Sequence, residues 1–299
     1  MESKAEHIPV LLQEVCNEIV PQGDSFIVDC TLGLAGHSKR ILESDGAVNL
    51  ICFDLYTKSI VFFEKYLQSA GFVKEKGLHK LYKKDLKQVF LVNDNFANLK
   101  KVLDDLKIHE VSVILADLGL STFQLKKSKR GFSFLNSEEP LDMRISLNNS
   151  VKAYELINSL SENELYHLFK NFGESEFSKI VSKRIVERRK TKQIRTVGDF
   201  LKVINLKKIP SRIHPATKLF MALRIAVNRE SENLNLLLSA FLNTNAKKLL
   251  VITFHSLEVL SIRNFAKINN LKIKEILPTT QEILENKSSR SAKLYVLQK

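Results

Sequence analysis

Short apolar runs alternate with amphipathic stretches along most of this chain, and several of the runs stop at an acid. Phe26-Ile-Val28 is followed by Asp29, a small-residue turn (Gly33, Leu34, Ala35, Gly36) and a helix start at His37-Ser38. A second run, residues 48–53, ends at Asp54. Strand, glycine turn and helix in that order open a doubly wound α/β domain, whose ligands sit outside the carboxyl ends of the strands. Residues 59–70 have helical spacing and close on Gly71, the usual residue past a helix end. Residues 72–86 are basic and poorly patterned. The better third strand is 88–92, with Asn93-Asp-Asn-Phe96 as its outgoing loop and a helix over 97–106. Residues 111–116 suit a central parallel strand buried on both faces, and they run into Asp117-Leu-Gly119. A fifth parallel strand is predicted over 249–254, ending at His255-Ser256-Leu-Glu258. Residues 273–277 and 293–297 predict an antiparallel edge. At the front, His7-Ile-Pro-Val-Leu-Leu12 reads as an apolar arm before a short helix that ends ahead of Pro21, with His7 a candidate pocket residue.

The middle of the chain reads differently. From Leu125 to about residue 150 there is no periodicity, and loops of that length are usually functional or disordered. Phe132, Phe134 and Pro140-Leu-Asp142-Met-Arg144 argue against disorder. A helical block follows over 151–209, with Ser161-x-x-Glu164 and Thr196-x-x-Asp199 as capping boxes. Phe177, Ile180, Val181 and Ile185 make an apolar stripe at helical spacing. His214-Pro-Ala-Thr217 starts another helix, and 234–242 predicts one more. The expected architecture is an α/β sheet domain, 1–125 with 213–299, carrying a mainly helical insertion over 126–212.

Composition narrows the class. The chain has 299 residues, 44% hydrophobic and 26% charged, as a soluble globular protein does. Lysine and arginine number 46 against 33 acids, a net charge of +13, which favours a polyanionic partner such as RNA. The densest run lies on one predicted helix: Lys179, Lys183, Arg184, Arg188, Arg189, Lys190 and Lys192. With Lys126, Lys127, Lys129 and Arg130, it is either a phosphate-binding face or a solvated one. Cys16, Cys30 and Cys52 lack C-x-x-C spacing and read as small apolar residues of a reducing cytoplasm. No long apolar run predicts a signal peptide or a membrane span.

Three strand ends then carry acids: Asp29, Asp54 and Asp117. Any one of them could be a helix cap, since Asp is favoured there. Asp54 falls about twenty residues beyond Gly33, where an acid reaches ribose hydroxyls. The turn is not G-x-G-x-x-G, so no pyrophosphate cradle is spelled out. A cofactor with an adenosine and no phosphate fits better, S-adenosylmethionine being the common one.

In order, the chain resembles the ribosomal small-subunit methyltransferase H family. The blocks that carry the resemblance are Asp29-Cys-Thr-Leu-Gly33 with Gly36-His37-Ser38, Asp117-Leu-Gly119-Leu-Ser121, Arg130-Gly-Phe-Ser-Phe134, Pro140-Leu-Asp-Met-Arg144, His214-Pro-Ala-Thr217, Ala222-Leu-Arg-Ile225 and Phe254-His-Ser-Leu-Glu258. The resemblance implies a class I (Rossmann-like) methyltransferase sheet with an inserted helical domain. It also implies methylation of the exocyclic N4 of a cytidine in 16S ribosomal RNA, with S-adenosylmethionine as donor. Cofactor contacts are then expected at Ala35, Gly36, His37, Asp54, Phe96, Asp117 and Gln124, and no metal. Asp142 and His255 are the candidate acceptors for the N4 proton. The expected partner is small-subunit ribosomal RNA or the assembling small subunit, with no membrane; a homodimer is left open. Departures from the family pattern are Ala35 for glycine, Tyr56 for the second acid of D-x-D, Ser121-Thr-Phe123 for S-S-P, Met221 for glutamine, Ser231 for leucine and Val259 for aspartate. They keep a second reading in view, a non-catalytic RNA-binding or ribosome-assembly protein on a methyltransferase scaffold.

Overall fold

The computed structural model describes residues 8–20, 23–44, 48–76, 80–119, 128–173, 175–205 and 214–299. The chain divides into two compact units, residues 1–119 with 231–299, and residues 120–230.

The first unit is built on one sheet. In chain order its strands are β1 (Phe26–Asp29), β2 (Asn49–Phe53), β3 (Val73–Lys74), β4 (Lys80–Lys84), β5 (Lys87–Val92), β6 (Val111–Asp117), β7 (Lys248–Thr253), β8 (Lys272–Ile276) and β9 (Lys293–Gln298). Their order across the sheet is β3-β4-β5-β2-β1-β6-β7-β9-β8. The five central strands, β5 to β7, are parallel, and each margin is antiparallel. Central side chains alternate strictly between two cores. Ile27, Leu50, Cys52, Val113, Leu115, Leu250 and Ile252 face one, where α1 (Leu12–Glu18), α2 (Gly36–Leu42) and α3 (Thr57–Ser69) pack. Val28, Ile51, Phe53, Ile114, Ala116, Leu249 and Val251 face the other, against α4 (Leu99–Leu106) and the helices Glu230–Leu242 and Ser256–Ile268. Burial on both faces explains the unbroken apolar runs of β6 and β7. No helix among the described residues is long and apolar enough to cross a membrane.

The β3–β4 pair corrects the sequence reading, which found no strand over 72–86. Four of its seven side chains are lysine and only Tyr82 is fully buried, so the pair lacks the apolar alternation that marks a half-buried strand.

The second unit has its own core, centred on Leu165, Phe169, Val181, Ile185, Phe200, Leu219 and Leu223. Its helices are α5 (Ala153–Ser159), α6 (Glu162–Gly173), α7 (Ser178–Arg189), α8 (Val197–Ile204) and α9 (Pro215–Asn228). Both expected capping boxes close: Ser161 with Glu164, and Thr196 with Asp199. The stripe on α7 is narrower than predicted. Val181 and Ile185 are fully buried, but Ile180 is 46% exposed, off the face that packs.

Candidate active site

The first unit gathers its acids at the carboxyl ends of the parallel strands. Asp29 ends β1, level with Cys52 of β2 and Leu115 of β6. Its Oδ1 accepts from the Thr31 N–H (3.0 Å) and its Oδ2 from the Ser38 hydroxyl (2.6 Å). Burial pushes its carboxyl above the usual range, against the Ser38 bond, which holds it down.

Asp54 follows β2. Its Oδ2 accepts from the Gly33 N–H (2.8 Å) and its Oδ1 from the Tyr56 N–H (2.7 Å). The acid therefore clamps the glycine turn to the end of the neighbouring strand. Burial pushes it up to about 6, although these backbone bonds and the Ser59 hydroxyl act the other way. Asn93 donates to the Asp54 carbonyl (2.7 Å), which ties the loop after β5 to the same place. Phe96 opens the short 3₁₀ turn Phe96–Asn98 on that loop and stays half-buried.

Asp117 ends β6. Its own N–H donates to Thr31 Oγ1 (2.6 Å), and its Oδ1 accepts from the Gly119 N–H (3.1 Å). Its pKa, too, is pushed up to about 6, first by burial and then by the nearby charges of Asp29 and Glu258, with His37 and the Gly119 bond opposing. No lysine or arginine among the described residues forms a salt bridge with Asp29, Asp54 or Asp117. Backbone N–H groups and hydroxyls are their partners instead, which leaves a concentrated negative field at the strand ends.

The turn between β1 and α2 has an unusual origin. Ala35 adopts φ 62°, a left-handed conformation that favours glycine, and it is fully buried. Gly36 is required by the arm: a Cβ there would lie 2.1 Å from Pro9 Cγ. His37 is buried, and its Nε2 lies 3.0 Å from the Val10 carbonyl. Two of the expected cofactor residues thus engage the arm directly. Thr31 and Ser38 join the site beyond the expected residues; the blocks Asp29-Cys-Thr-Leu-Gly33 and Gly36-His37-Ser38 carry them in the sequence.

At the end of β7, the buried Glu258 accepts from the Phe254 N–H (2.8 Å) and the His255 N–H (3.3 Å). His255 Nε2 lies 3.0 Å from Glu258 Oε1, and neither buried ring nitrogen makes a hydrogen bond. Phe254 packs so closely over Gly119 that a Cβ there would meet its ring at 2.7 Å.

Asp142 belongs to the second unit. Arg144 grips it with a fork, Nε to Oδ1 (2.8 Å) and Nη2 to Oδ2 (2.9 Å), and adds its backbone N–H to Oδ1 (3.0 Å). Burial alone would raise this acid, but the fork holds it below the usual carboxylate range. The basic run on α7 is largely engaged as well. Arg184 donates to the Ile204 carbonyl and Arg189 to the Ile157 carbonyl, while Lys183 pairs with Glu187 and Lys192 with Asp199. Gln124, His7, Lys126 and Lys127 lie outside the described residues.

Residues 4–299 match the MraW methylase family. A "Ribosomal RNA small subunit methyltransferase H" of Dictyoglomus thermophilum is 39% identical over 99% of this chain and 97% of its own length. Proteins of the same name from Dictyoglomus turgidum (38%, over 97% of this chain and 96% of theirs) and Clostridium botulinum Loch Maree (36%, over 98% and 99%) are similar along their whole length too. With a doubly wound sheet of the class I methyltransferase kind and acids on consecutive strand ends, the chain belongs to the MraW methylase family.

Proposed function

We propose that this chain transfers the methyl group of S-adenosylmethionine to the exocyclic N4 of a cytidine in small-subunit ribosomal RNA. The relatives' names supply the RNA. The observation that carries the cofactor is the set of buried strand-end carboxylates, Asp54 and Asp117 above all, with which no lysine or arginine among the described residues forms a salt bridge. Ribose hydroxyls and a sulfonium cation are the chemical complement of such a set, so these residues fit the group. When bound, it supplies an electrophilic methyl carbon.

The chain's own residues do the rest. Asp54 accepts the ribose hydroxyls with the lone pairs its two backbone donors leave open. Phe96 lies along the adenine, and Ala35, Gly36 and His37 shape the turn beneath the cofactor, with Gln124 as a further polar contact. Asp117 offsets the cofactor's positive charge. The cytosine amine is not protonated at neutral pH, and it must shed a proton as the new bond forms. His255, whose ring nitrogens are free of hydrogen bonds, receives that proton. Asp142, its basicity reduced by Arg144, fixes its loop and orients the amine.

Mass spectrometry of nucleosides from small-subunit ribosomal RNA, in cells with and without the gene, tests this reading. N4-methylcytidine is expected only with the gene, and a His255→Ala copy should restore it about 10²-fold more slowly. Identical nucleosides in both strains, with no calorimetric binding of S-adenosylmethionine, would favour the non-catalytic assembly protein instead.

A further inference from the structure

With much of the α7 charge engaged by carbonyls and carboxylates, the cations that stay available are of interest. Two of them flank one aromatic ring in the second unit. Lys152 Nζ lies 5.4 Å from the centroid of the Tyr154 ring, and the Arg195 guanidinium lies 5.9 Å from it. Among the described residues neither cation has a carboxylate partner. Lys152 Nζ reaches only the Tyr154 hydroxyl (3.4 Å), and Arg195 Nε and Nη2 share the neutral amide oxygen of Gln193 (3.0 and 2.8 Å). Arg195 is exposed, and Lys152 and Tyr154 are half-buried.

The platform is rigid underneath. The Leu141 N–H donates to the Arg195 carbonyl (2.9 Å), and the Tyr154 N–H donates to the Leu141 carbonyl (2.8 Å). Asn158 Nδ2 donates to the carbonyls of Tyr154 (2.6 Å) and Ile194 (2.8 Å), and its Oδ1 accepts from the Ile194 N–H (3.1 Å). Tyr154, Arg195 and the Pro140-Leu-Asp142-Met-Arg144 loop are therefore locked in one register by backbone and amide bonds. A ring whose backbone is fixed in this way loses little entropy when it engages a ligand.

We propose that Tyr154, with Lys152 and Arg195 beside it, is a stacking site for an unpaired nucleotide of the RNA substrate. The base stacks on the tyrosine ring, and the two cations take the flanking phosphates. An aromatic face bracketed by unpaired cations is how single-stranded nucleic acids are held without base-edge readout. An acidic polypeptide would use the charges and leave the ring idle. The site rests on the methyl-transfer reading only for RNA as the partner.

Fluorescence anisotropy of the full-length protein with a short, labelled single-stranded oligoribonucleotide of mixed sequence, cofactor absent, tests it. Tyr154→Ala should weaken binding by about 5- to 100-fold, and Tyr154→Phe, which keeps the ring, by no more than about twofold. Lys152→Gln with Arg195→Gln should flatten the salt slope of binding by about 1.4, the value for two single-strand phosphates. Polyglutamate binding should be insensitive to Tyr154→Ala. Any of three results overturns the site: parental affinity in a folded Tyr154→Ala, an unchanged salt slope in the double variant, or equal losses for polyglutamate and RNA. Should Tyr154→Ala fail to fold, the Phe variant and the salt slope still decide. Calorimetry with S-adenosylmethionine on the same samples reports separately on the methyltransferase reading.

Discussion

Acids at the middle and at the margins of the same sheet are treated in opposite ways. At the margins, Glu64 takes Lys80 (2.7 Å), Lys74 (3.2 Å) and the Tyr82 hydroxyl, which fastens the β3–β4 pair to α3. Across the sheet, Glu275 takes Tyr295 (2.6 Å), Lys293 (2.9 Å) and Arg263 (2.5 Å), which fastens β8 to β9 and the helix behind them. The Tyr295, Lys293 and Arg263 bonds hold Glu275 down to about 2. Glu64, despite the opposing effect of burial, is also held down to about 2 by its lysines and tyrosine. Between these margins, Asp54 and Asp117 are raised by burial to about 6, and no lysine or arginine among the described residues forms a salt bridge with them. Edge strands need fastening, and the ion pairs there stabilise the fold. The central acids are costly to the empty protein and suit a ligand that brings the missing positive charge.

The largest break in this contrast comes from Asp117→Asn. It removes the charge and keeps the shape, so S-adenosylmethionine should bind at least about tenfold more weakly by calorimetry. The melting temperature should stay level or rise, because a desolvated charge has gone. Glu275→Gln should do the reverse. Loss of its charged bonds should cost about 1–2 kcal/mol, or roughly 2–8 °C by calorimetric melting, with cofactor affinity unchanged. The pH dependence separates the two classes by sign. Asp54 and Asp117 have folded pKa values of about 6 against 3.8 unperturbed, so their contribution to stability is complete below 3.8 and lost as pH rises through 6. Glu64 and Glu275, at about 2 against 4.5, contribute above 4.5 and lose it as pH falls through 2.

Much of the first unit was legible because its strands are buried on both faces and write themselves as apolar runs ending in acids. What stayed hidden depends on contacts that the local pattern does not show. The strands over 73–74 and 80–84 hide because lysines on an edge carry no apolar period. Gly36 reads as a cofactor glycine, and nothing local shows that Pro9, far back in the chain, also forbids a side chain there. Asp142 reads as a free acceptor, because nothing in a loop sequence announces that Arg144, two residues on, folds back to fork it. The α7 run, which the sequence leaves open between a phosphate-binding face and a solvated one, is partly engaged by carbonyls such as those of Ile157 and Ile204, which leave no mark in the sequence.

A smaller effect is expected from Ala35→Gly. It relieves a left-handed alanine at the helix start but adds freedom to the unfolded chain, for a net gain of at most about 1 kcal/mol in thermal melting. Cofactor affinity should move less than about twofold, since the backbone keeps its path.

The central claim is that no lysine or arginine among the described residues forms a salt bridge with the strand-end acids because the cofactor supplies the cation. Isothermal titration across the pH range around 6, with S-adenosylmethionine and with S-adenosylhomocysteine, which lacks the sulfonium charge, tests it most directly. The account predicts that S-adenosylmethionine affinity falls as pH drops through about 6, with proton release on binding near that pH. Asp117→Asn should reduce this dependence, and S-adenosylhomocysteine should show less of it. Affinity for S-adenosylmethionine that is independent of pH, with no proton released, would contradict the account.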